Sequence, residues 1–116
     1  MPRRVAIPHH FVSAAGNNAR VIKGGRGWVS GIWGTNTNAA IMFVKFFDVA
    51  DTPNPATDRP AYVCGLPGGG AAGAGGSMPG RFCFDNGIAI AMVAGAADGD
   101  NSPVLAGEIV FSFVIW

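Results

Sequence analysis

An all-β chain, folded as a single antiparallel β-sandwich or jelly-roll-like domain, is predicted by three observations. Apolar residues recur with a period of two, clusters of Gly, Pro, Asn and Asp separate the apolar runs, and no segment carries a capped 3.6-residue repeat. A length of 116 residues suits one domain.

Residues 1–12 read as an extended N-terminal arm, basic at the start and interrupted by Pro2 and Pro8, and residues 13–116 as the sandwich. The first short strand is expected at Ala19–Lys23. Arg26–Trp33 follows, with Trp28, Ser30 and Ile32 on one face and Val29, Gly31 and Trp33 on the other. Ala39–Phe47 is apolar on both faces except at Lys45, and Ala61–Leu66 is a further short strand. Gly65–Gly80, rich in glycine and alanine, reads as a loop, because such a run loses much entropy on ordering and has few side chains to offset it. Beyond it lie Arg81–Phe84, an Asn86-Gly87 tight turn, and Gly87–Ala94 with Ile88, Ile90 and Met92 inward. The last strand places Ile109, Phe111, Phe113 and Ile115 in the core.

Composition excludes several classes. Charged residues are 13% against roughly 25% in an average soluble domain. At 49% hydrophobic the chain is too apolar for a disordered tail. A net charge of +1 is too small for binding nucleic acid through phosphates alone. No apolar run reaches the length of a membrane span, and the basic start lacks the apolar stretch of a secretory signal, so a cytosolic chain with no membrane partner is expected. Cys64 and Cys83 then remain thiols.

No motif reaches the threshold for chemistry. Gly68–Gly76 lacks the Lys-Ser/Thr pair of a phosphate loop. Asp98-Gly99-Asp100-Asn101-Ser102 opens like a calcium loop but has Pro103 at the glycine position and Ile109 at the glutamate position. His9 and His10 are adjacent and point to opposite faces of an extended chain. Both cysteines have apolar strand neighbours, and Asp48 and Asp51 sit at a strand end. No catalytic residue, metal or cofactor is therefore expected. Two features bear on partners. Five of the eight basic residues precede residue 27 and no acid appears before Asp48, a pattern that ordinary solvation of scattered charges explains and that otherwise suits an acidic protein surface ahead of nucleic acid. Large aromatics on strands that are apolar on both faces exceed what a sandwich of this size buries. The candidate interface comprises Arg3, Arg4, His9, His10, Phe11, Trp28, Trp33, Phe43 and Trp116.

Several motifs resemble a known family. Ser13–Ala19, Val21-Ile22-Lys23, Phe43–Asp48, Thr57-Asp58-Arg59-Pro60, Pro67–Gly70, Asn86–Ala91, Gly95–Asp100 and Ala106–Val110 are similar to small β proteins encoded among the structural genes of tailed bacteriophages. Met42, where the family often has a basic residue, and the long Gly/Ala run depart from its pattern. The resemblance implies a virion structural component, in first place a capsid cement or decoration protein on the capsid surface. Its partners would be the major capsid protein, reached by the arm and the Gly65–Gly80 loop, and further copies of itself, as a trimer. The alternative it implies is a tail, neck or fibre component, serving as connector or as a module that binds host-surface glycans.

Overall fold

The computed structural model describes residues 5–69 and 75–116, with the backbone alone over 75–80. Eight strands follow in chain order: β1 Ile7–Val12, β2 Arg20–Lys23, β3 Gly27–Asn36, β4 Met42–Phe47, β5 Tyr62–Leu66, β6 Gly75–Phe84, β7 Ile88–Val93 and β8 Ile109–Ile115. They form two antiparallel four-stranded sheets, ordered β1-β8-β3-β6 and β2-β7-β4-β5. There is no helix among the described residues.

The inner faces follow from alternation. Ile109, Phe111, Phe113 and Ile115 of β8 are buried against Met42, Val44 and Phe46 of β4 and Ile88, Ile90 and Met92 of β7. Gly34 is needed by this packing, since a Cβ there would lie 2.7 Å from Cδ1 of Phe111. On β3 the alternation breaks at Gly31, whose φ of +59° is the left-handed conformation that glycine adopts without penalty. The resulting bulge between Ser30 and Ile32 shifts the register by one. Val29 and Ile32 therefore both face the core, whereas strict alternation puts them on opposite faces.

Two segments differ from the sequence expectation. Within the expected arm, Ile7–Val12 is strand β1, paired along its whole length with β8. Proline is tolerated in it because β1 is an edge strand. Of the expected loop Gly65–Gly80, residues 65–66 belong to β5 and residues 75–80 to β6, with 75–78 opposite Ile32–Thr35 of β3. A ladder is made by backbone groups, so a central strand such as β3 recruits even a side-chain-poor neighbour. Gly70–Ala74, like Arg3 and Arg4, lie outside the described residues.

The outer face of β2-β7-β4-β5 is not left to solvent. Phe47, Ala89 and Ala91 are buried there beside Ala19 and Val49. The segment after β7 folds across this face, held by the Ala94 N–H donating to Ser102 O (3.0 Å) and by Lys45. Lys45 is fully buried and donates from Nζ to Ala97 O (2.6 Å) and Asp100 O (3.3 Å). An ammonium thus occupies the carbonyls of the turn that began like a calcium loop.

Asp48 organises the β6–β7 turn by accepting from the N–H groups of Asp85 (3.3 Å), Asn86 (2.8 Å) and Gly87 (3.2 Å). Burial is the largest single influence on its carboxyl and pushes its pKa up. The three N–H groups together outweigh it and hold the carboxyl below the ordinary carboxylate value. A depressed carboxyl stabilises the fold fully above the unfolded value and loses that contribution as pH falls through the folded one. The urea midpoint of Asp48→Asn is therefore expected below that of the natural chain at pH 6, with the gap closing below about pH 4. A gap that is constant from pH 6 to pH 2 contradicts this role.

Candidate functional site: an aromatic sheet face and an edge cleft

The expected interface residues separate into groups. His9 and Phe11 of β1 turn inward, with ring centroids 5.5 and 5.9 Å from that of Phe113. The Arg20 guanidinium lies 4.5 Å over the Phe11 ring and closes the side of the sandwich where β1 and β2 are edges. Phe43 belongs to the outer face of the other sheet, beside Ile41 and over Gly65.

His10, Trp28, Trp33 and Trp116 converge on the outer face of β1-β8-β3-β6. The bulge at Gly31 brings Trp33 to the same side as Trp28. His10 Nδ1 and Ser112 Oγ are 2.8 Å apart, and Trp116 Nε1 donates to Ser30 Oγ at 3.0 Å. Around them stand Val12, 54% exposed, and Trp33, 49% exposed, with Val110 and Val114 half-buried. Besides His10, the ionisable side chains described on this face are Arg81 and Cys83 of β6. The result is a flat apolar face rimmed by basic groups: Lys23 Nζ reaches Trp116 O at 3.3 Å, and Arg26 stands 3.9 Å from Asp85, both side chains well exposed.

Arg81 has no place among the residues expected from sequence, yet it joins this face to a cleft. Its guanidinium lies 5.8 Å from the ring centroids of both Trp28 and Trp116, within cation–π range. The signal available in the sequence was the alternation Arg81-Phe82-Cys83-Phe84; opposition of Arg81 to Ser30 and of Cys83 to Trp28 exists only in the folded register. Behind Arg81, between the edges of β5 and β6, opens a cleft of about 270 Å3 lined by Ala61, Tyr62, Arg81, Phe82, Cys83 and Phe84. Tyr62 and Phe82 pack with centroids 4.6 Å apart. Burial, then the neighbouring Cys64, pushes the Tyr62 phenol above its ordinary pKa, so it serves as a neutral hydroxyl.

The chain finds no match among protein-family models, curated proteins or solved structures. Its chemistry is therefore read from its own geometry. Among the described residues, no three His, Cys, Asp or Glu side chains come together as a metal site, and no helix is long and apolar enough to cross a membrane. The two cysteines differ sharply: Cys64 is buried, which pushes its thiol pKa up, whereas Cys83 is exposed at the mouth of the cleft. A maleimide is expected to modify Cys83 at least about tenfold faster than Cys64 in the native protein, because thiolate character and access set the rate. Peptide mapping after partial labelling checks it, and equal rates refute it.

Proposed function

We propose that the protein is a structural component of a tailed-bacteriophage virion, a cement or decoration protein that binds the mature capsid shell and stabilises it. The observation that carries the reading is the weakly charged, tryptophan-bearing outer face of β1-β8-β3-β6, on a chain whose motifs resemble phage structural proteins. The two antiparallel four-stranded sheets support it too, and in this reading their order, β1-β8-β3-β6 over β2-β7-β4-β5, is that of a jelly roll, an architecture used in viral coats. Trp33 and its valine neighbours are the contacts between copies in an oligomer, a trimer in this reading. The basic N-terminal residues, Arg3 and Arg4 included, face the major capsid protein. Binding only the mature shell stabilises that state by mass action.

Quantitative mass spectrometry of purified particles tests the reading. A ratio near one copy per major capsid protein is expected. A handful of copies moves the protein to the tail or neck, and absence from the particle overturns both placements.

A further inference from the structure

We infer that the cleft between the free edges of β5 and β6 binds an extended acidic segment of a partner protein, added as a strand along β6. Among the described residues β6 pairs only with β3, so its other edge presents N–H and C=O groups to whatever lies beside it. A cleft of about 270 Å3, at the small end of binding pockets, has room for one apolar side chain.

Charge selects the occupant. The contacts of Arg81 are the ring faces of Trp28 and Trp116, and no carboxylate among the described residues pairs with it. Ring faces attract the guanidinium without using its N–H donors, which remain to match a carboxylate in a two-pronged contact. Asp85, on the same strand end, lies instead toward Arg26. A second copy's N-terminus does not fit, because Arg3 and Arg4 carry the sign of Arg81.

The register then sets the motif. Phe82 faces the interior opposite Val29, while Arg81 and Cys83 face outward opposite Ser30 and Trp28. In an added strand, the residue beside Phe82 points into the cleft and its neighbour points out beside Arg81. The segment recognised is thus an Asp or Glu directly adjacent to a large apolar residue within an extended stretch. This goes beyond the virion reading and is tested separately from it, on the isolated full chain.

The probe is a blocked peptide of alternating threonine and valine with one central glutamate–phenylalanine pair, titrated calorimetrically and followed by amide exchange along β6. The glutamate peptide is expected to bind at least about tenfold tighter than its glutamine counterpart, the smallest effect of a charge-assisted hydrogen bond. Arg81→Gln should abolish that preference and Arg81→Lys should restore only part of it, with unchanged thermal midpoints showing that both fold. A bulky maleimide on Cys83 should block both peptides. Equal affinity for the two peptides, no binding at about 1 mM, the weak end of specific recognition, or binding of an oligo-uronate but neither peptide each overturns the inference.

Discussion

Replacing Phe46 by alanine is expected to leave the protein largely unfolded at 37 °C. The side chain is fully buried on the inner face of β4. Its ring centroid lies 5.5 Å from Phe113 edge-on, 6.0 Å from Phe111, 6.2 Å from Phe84 and 6.5 Å from Tyr62. It therefore joins β4 to β8 and β6 across the sandwich and to β5 within its own sheet. Truncating a buried phenylalanine costs about 3–5 kcal/mol, and each lost aromatic pair adds about 0.5–1.5 kcal/mol beyond the area term. Against a total stability of about 5–15 kcal/mol, that is most of what a small domain has. Trp33→Ala is the contrasting control: the indole is half exposed, so the domain should lose under about 1 kcal/mol. Chemical denaturation of both variants checks the pair. A Phe46→Ala chain within 1 kcal/mol of the natural one, as roughly the error of a mild surface change, would refute the hub role.

Much of this core was legible because the inner faces of β7 and β8 are written in plain alternation, whereas β4 is apolar on both faces except at Lys45. Phe111 and Phe113, or Ile88 and Ile90, have only one face on which to sit. What alternation does not carry is a change of phase, and Gly31 supplies one: a single left-handed glycine puts Trp28 and Trp33 on one outer face although they are five positions apart. Nor does local pattern reveal ladders made of backbone. The glycines of 75–80 are poor strand formers alone, yet they pair with β3, whose own side chains do the packing. Pro8 likewise masks β1, because only the topology tells that this strand is an edge.

The candidate site was legible in kind but not in membership. Surplus tryptophan at Trp28, Trp33 and Trp116 led to the expectation of an aromatic surface, and those three do meet on one sheet. His9 and Phe11, adjacent in the chain to His10, turn inward because strand neighbours alternate. Arg81 went unmarked: its meaning lies in two rings that are 53 and 35 residues away in sequence. Only closure of β3, β6 and β8 into one sheet brings a cation within reach of both.

Lys45→Met is expected to lower stability by about 3 kcal/mol while leaving the sandwich core intact. The substitution keeps the apolar stem that fills the outer face beside Ala91, but removes the ammonium that donates to Ala97 O and Asp100 O. Each part-buried, charge-assisted hydrogen bond lost costs about 1.5–3 kcal/mol, and solvent reaching the two carbonyls recovers part of that. The loss should be local in a measurable way. The Asp100 carboxyl is held below its ordinary pKa first by the Ser102 N–H and hydroxyl, with attraction from Lys45 and the Gly95 N–H adding to this against burial. Without the ammonium, its pKa should rise only in part, because the Ser102 contacts remain. Amide exchange should accelerate from Ala94 to Ser102 and stay slow in β8, whose pairing with β1 and β3 does not involve this face. Uniform acceleration in both regions would mean that Lys45 supports the whole sandwich, and no change in either would mean that the turn holds itself across the sheet without a cation.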